Sequence, residues 1–187
     1  TVSTLGTVAI AAQAMTNILE NLNGIAGIGV GVGLMTIVGQ CMGANRKDEA
    51  VYYIKKLSVI AEVTIIVSCL LVFILTRPVT MLGGMEKTSA DMCWHMVMWI
   101  TIVKPIMWVL AFVPAYGLRA AGDVKFSMIS SCAVMWLCRF CLSVLLIRGL
   151  GFGPMGVWIG MFADWTVRAV LFTWRFHSRK WLEHKVI

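Results

Sequence analysis

Long apolar runs, interrupted by short polar gaps, set the pattern of this chain. Stretches able to cross a bilayer, for which about 20 apolar residues suffice, run over 8–43, 57–75, 94–115, 126–147 and 155–174. The period-2 alternation of a membrane barrel is absent, and helices are the other way to satisfy a backbone in lipid. The pattern therefore predicts an all-α polytopic membrane protein with five transmembrane helices and a tail over 175–187. The first run, about 36 residues or about 54 Å at 1.5 Å per residue, must protrude, tilt or bend, with Gly24 as the natural bend point. Pro105 and Pro114 predict further bends in the third helix, because proline lacks the N–H and crowds the preceding turn.

Within the first run, GIAGIGVGVG (24–33) carries the Gly-x-Gly spacing of phosphate-binding loops. Such a loop follows a strand and precedes an acid about 20 residues on; here the glycines continue a helix. Gly27 with Gly31, and Gly29 with Gly33, instead form small-xxx-small pairs that let membrane helices approach closely. Upstream, Gln13, Asn17, Glu20, Asn21, Gly24, Gly27 and Gly31 recur at helical steps, which gives one face that is polar and then small.

A carboxylate in such a run is costly unless it faces a bundle interior or wet cavity, where it can exchange a proton or attract a cation. Glu20, with Asn17, Asn21 and Gln13, is thus the leading candidate for cation or substrate binding. A position among the external headgroups remains open. Lys104 sits too deep in the third span to snorkel, so it either faces a cavity, pairs with an acid or lies at a packing boundary. Asp164 and Arg168 stand four apart in the fifth span, the spacing of a helical ion pair, and Arg139 in the fourth could lock onto them. Glu62 is either paired or open to the cytoplasmic side.

Composition sharpens the class. The 187 residues are 59% hydrophobic and 13% charged, with mean hydropathy +0.85, a membrane composition. The net charge of +7 comes from basic residues clustered in the gaps, where they meet anionic lipid rather than nucleic acid. Ten of these residues (Arg46, Lys47, Lys55, Lys56, Arg119, Lys125, Arg175, Arg179, Lys180, Lys185) fall in alternate gaps or the tail, against Arg77, Lys87 and Arg148 on the other side. The positive-inside rule then places the C-terminus in the cytoplasm and Thr1 outside. The six cysteines lack the setting of a disulfide framework, CRFC (138–141) lies mid-span, and the histidines show no metal-ligand spacing. No enzymatic constellation, metal site or cofactor motif is present. The start, TVSTLGTVAI, lacks Met and a basic signal-peptide region, and reads as the interior of a longer chain.

Three segments carry a family resemblance. GQCMGANRKDEA (39–50) resembles the end of the second helix of each half in multidrug and toxic compound extrusion (MATE) transporters; GLRAAGDVKFSM (117–128) resembles their Leu-Arg-Gly-Ala-Gly-Asp loop; GPMGVWIGMFADWTVRAVLFTWRFHSRKW (153–181) resembles their last helix and tail. The resemblance implies that the chain is the C-terminal half, most of one six-helix lobe of a twelve-helix transporter. It implies an N-terminal lobe as partner and export of cationic, amphipathic drugs in exchange for Na⁺ or H⁺. Arg119, Gly122 and Asp123 carry over as loop residues with gating or structural roles; Gly122 suits a turn and Asp123 a helix cap. Two departures stand out: Ala120 replaces a common glycine, and the third span carries Lys104 where many members place an acid. The second departure points coupling toward an acid in the other lobe. A lipid-linked saccharide flippase of similar architecture, or a truncated, non-transporting subunit, are the alternatives.

Overall fold

The computed structural model describes residues 7–149 and 155–183; the last four residues of the expected tail lie outside them. Five helices are long and apolar enough to cross a membrane: α1 (Thr7–Gly43), α2 (Lys47–Leu82), α3 (Lys87–Ala120), α4 (Val124–Gly149) and α5 (Met155–His177). No strand occurs among the described residues. The helices outrun the expected spans, α2 most of all, because hydropathy marks the lipid-embedded part and misses polar, interfacial helical turns such as 47–56. α1 passes through the glycine-rich stretch without a break, and α3 continues through Pro105 and Pro114 to Ala120.

Three interhelical turns end their helices alike. Asn45, Gly84 and Gly122 adopt positive φ of 57°, 63° and 92°, and the next residue's N–H reaches back five residues, as from Asp123 N to Leu118 O at 3.0 Å. This left-handed closure satisfies carbonyls that the helix end leaves open. The glycine at 122 follows from its φ, which a Cβ would disfavour.

α1, α2 and α3 pack mutually, and α5 packs on α3. α4 leans mainly on α5, with a smaller contact to α3, and is the least buried of the five. Its middle, Met135–Leu142, is π-helical and buries no side chain. Such a stretch is rare and concentrates at functional sites. Ile18, Leu22, Val63, Leu70 and Ile74 point outward, as expected where the solvent is lipid. Beyond α5 a short 3₁₀ turn, Lys180–Glu183, folds Trp181 back onto Phe176, where its indole donates to the Phe176 carbonyl at 3.1 Å.

Glycine supplies the closest packing on α1. A Cβ on Gly27 would lie 2.7 Å from both Ile65 and Trp108, and one on Gly31 2.5 Å from the Tyr116 ring, whereas Gly29 and Gly33 meet nothing within 4 Å. Among the described residues only the first small pair therefore makes close contact; Gly29 and Gly33 lie some 200° further round the helix at 100° per residue, on a face that no described residue covers.

Candidate functional site

The polar stripe of α1 divides by face. Gln13 is buried and accepts from the Trp158 indole at 3.1 Å, which ties α1 to α5; its amide donates to Asn17 at 3.3 Å. Asn17 and Asn21 themselves are exposed. Glu20 lies between these faces, with its side chain 18% exposed.

Lys104 reaches Glu20 from α3. Its ammonium lies 2.7 Å from Glu20 Oε1, donates to the Glu20 carbonyl at 3.0 Å and sits 5.7 Å from the centre of the Trp108 ring. Gly24 makes room, since a Cβ there would lie 3.5 Å from Lys104 Nζ. Lys104 is fully buried. Of the readings open for it in sequence, acid pairing is the one the geometry realises, with Glu20 as the acid.

Glu20 also borders a cavity of about 250 Å³. Asn21, Gly24 and Ile28 of α1, Trp108, Phe112 and Tyr116 of α3, Arg139 of α4, and Met161 and Trp165 of α5 complete its wall. Lys104 is not part of that wall. The carboxylate therefore stands between a buried ammonium and an open, aromatic-lined space. Aromatic faces attract organic cations, and a carboxylate among them supplies a counter-charge.

The other charged residues play different parts. Asp164 and Arg168 form the i,i+4 pair at 2.9 Å; Arg168 also donates to the Ser131 carbonyl at 3.0 Å and lies over Phe112 at 5.6 Å, joining α5 to α4 and α3. Arg139 does not join that pair. It is exposed on the π-helical stretch and makes no ion pair among the described residues; Arg168 bonds Asp164 Oδ1, and Asp164 Oδ2 is buried without a hydrogen-bond partner among the described residues. Glu62 is half-buried and likewise unpaired among the described residues.

Arg119 donates to Ser127 at 2.9 Å and so braces the α3–α4 turn. Asp123 occupies the N-cap of α4 but makes no side-chain capping bond, which corrects that expectation: its carboxylate accepts from Arg175 at 2.7 Å instead, a charge-assisted bond stronger than a neutral cap. Sequence reasoning missed Asn23, which is buried, donates to Cys69 at 2.9 Å and leaves its Oδ1 without a hydrogen-bond partner among the described residues. A carboxamide in an apolar run was the available signal.

Comparison with known proteins places this geometry. The MatE family profile matches residues 1–145. Over 90% of its length the chain is 24% identical to the probable multidrug resistance protein NorM of Thermotoga maritima, covering 36% of that protein. Over 89% of its length it is 29% identical to the FAD transporter of Shewanella oneidensis, covering 37%. A 67-residue stretch, 36% of the chain and 15% of the relative, is 42% identical to the uncharacterized transporter YisQ of Bacillus subtilis. The chain thus spans little more than a third of the two relatives it matches end to end. No solved structure matches significantly. With five membrane-length helices, and a family match over most of its length, the chain belongs to the MATE family of membrane transporters.

Proposed function

We propose that the chain forms the C-terminal lobe of a secondary active multidrug antiporter, which exports cationic amphipathic compounds in exchange for Na⁺ or H⁺ across the cell membrane, with the C-terminus cytoplasmic. The observation that carries this reading is the Glu20–Lys104 pair at 2.7 Å, set mid-helix in two spans, with the carboxylate on an aromatic cavity. An intramembrane charge pair is expensive unless used, and marks ion or substrate paths. Alternating access needs two bundles about a central site, so the other lobe is the expected partner. The flippase alternative weakens because Lys104, one of two cations it would set against a pyrophosphate, is committed to Glu20.

A second reading is favoured by Arg139, a cation without an ion-pair partner among the described residues, on the wall of an aromatic cavity. It would suit an anionic, planar aromatic cargo, in keeping with the relative that is a FAD transporter.

The test is flux by the intact transporter in proteoliposomes with an imposed Na⁺ or H⁺ gradient and a fluorescent cationic dye. Gradient-dependent dye movement that Glu20→Gln lowers to the empty-liposome rate, at unchanged protein content, is the expected result. Undiminished flux in Glu20→Gln removes the reading, and competition by FAD but not by organic cations favours the second.

A further inference from the structure

We propose that Lys104 is the proton carrier of this transporter: a built-in cation that Glu20 holds until cargo arrives, and that surrenders its proton when a cargo cation takes its place. The inference rests on the antiporter reading above and names its coupling ion as H⁺.

The geometry is a carboxylate addressed from two sides. Lys104, wholly shielded from solvent, holds Glu20 Oε1, while Glu20, its side chain 18% exposed, lines a cavity that Lys104 does not. An organic cation entering against Trp108, Tyr116 and Trp165 can reach the carboxylate without passing Lys104. Once it does, one acid faces two positive charges. A buried ammonium without its own counter-charge neutralises rather than remaining charged.

In the step that follows, an N–H bond of the Lys104 ammonium breaks, the electron pair stays on Nζ, and the proton passes to Glu20 Oε1, 2.7 Å away, and from that carboxyl to water in the cavity that Glu20 borders, which leaves the carboxylate charged again. The cargo cation replaces it beside the Glu20 carboxylate. Net charge at the site is unchanged, and nothing is oxidised or reduced. The neutral amine keeps a bond that needs no charge, its donation to the Glu20 carbonyl. Reprotonation from the acidic side restores the pair and expels the cargo.

Of the three oxygens of Glu20, Oε1 and the carbonyl already accept from Lys104, so a metal ion would have to draw on other oxygens of the wall, such as those of Asn21 and Tyr116, whereas proton exchange needs only the pair itself.

Other ionisable groups lie on the neighbouring helices. α2 contributes Glu62 and the Cys69 thiol, the latter close enough to sense Lys104 and Glu20 and bonded by Asn23. α3 itself adds Tyr116, and α4 adds Arg139 across the cavity. α5 adds Asp164 and Arg168, paired through Asp164 Oδ1, with Asp164 Oδ2 left without a hydrogen-bond partner among the described residues. Glu20 is the one acid in direct contact with Lys104 among the described residues.

The test uses tetraphenylphosphonium, a permanent cation with no proton of its own. Adding it to the purified intact transporter in weakly buffered detergent should release roughly one proton per cation bound, as one buried positive charge replaces another, read with a pH indicator. Lys104→Arg, whose guanidinium stays charged, should release none, and in proteoliposomes should lose the pH-driven export that wild type shows without Na⁺. Binding with no proton release by wild type, or full release by Lys104→Arg, overturns the proposal. Export driven by a Na⁺ gradient alone overturns it too, yet leaves the antiporter reading standing. Export driven by neither gradient removes both. The wild-type proton count stands even if the variant fails to insert.

Discussion

Two glycines two positions apart on one helix should respond oppositely to the same substitution. At Gly31 an added Cβ would lie 2.5 Å and 2.6 Å from two Tyr116 ring carbons and 3.2 Å from the ring's first carbon, so the whole side chain must move, not only its tip. At Gly29 the same atom meets nothing within 4 Å. Replacing glycine by alanine in a helix interior gains about 0.5–1 kcal/mol at either position, so this term cancels in the comparison. What remains is the overpacking of the α1–α3 contact, about 1–3 kcal/mol. The shift is roughly 2–4 °C per kcal/mol at 150–250 residues and smaller in the longer intact transporter, so Gly31→Ala should melt below Gly29→Ala, by at most about 12 °C. Thermal unfolding of the intact transporter in detergent, followed by tryptophan fluorescence, reads the difference. Equal midpoints, or a more stable Gly31→Ala, would refute the claim that backbone-close packing of α1 on α3 holds the cavity wall in place.

Two further outcomes follow from the same structure. Single cysteines introduced on a cysteine-free background at Lys55 and Lys180 should label from the cytoplasm and one at Arg148 from outside, and the reverse pattern would invert the proposed orientation. Arg175→Gln, which removes the 2.7 Å bond to Asp123, should destabilise by about 1.5–3 kcal/mol in a thermal melt, while Arg179→Gln, at an exposed position, should leave the midpoint within about 2 °C, since surface changes stay near 0.5 kcal/mol or less.

Much of the fold is visible in the sequence because hydropathy is a local property: each span declares itself by its own run of apolar residues. The ends of α2 do not, since residues such as Lys47, Asp48 and Glu49 are helical for reasons of turn closure and first-turn charge, not of burial. Glu20 and Lys104 each stood out singly as a charge inside an apolar run. That they meet depends on how α1 and α3 cross, across a sequence separation of 84 residues, which no local pattern encodes. The polar stripe of α1 was visible as a stripe, but which edge faces inward was not: Gln13 and Glu20 turn in, Asn17 and Asn21 turn out, and Asn23, off the stripe, is buried against α2. The π-helical stretch around Arg139 leaves no mark in residue type, and with it went the fate of that arginine.

The central claim is that the Glu20–Lys104 pair works in transport and is not merely a strut between α1 and α3. The neutral double variant Glu20→Gln/Lys104→Gln separates the two roles. Removing Glu20 alone strands a buried ammonium, a loss of about 3–5 kcal/mol, whereas removing both charges leaves amides able to bond each other. The measurement is gradient-driven dye export per transporter molecule in proteoliposomes, with thermal midpoints recorded alongside. The account predicts that the double variant regains the stability lost by Glu20→Gln while export stays at the empty-liposome rate; export returning together with stability would contradict it.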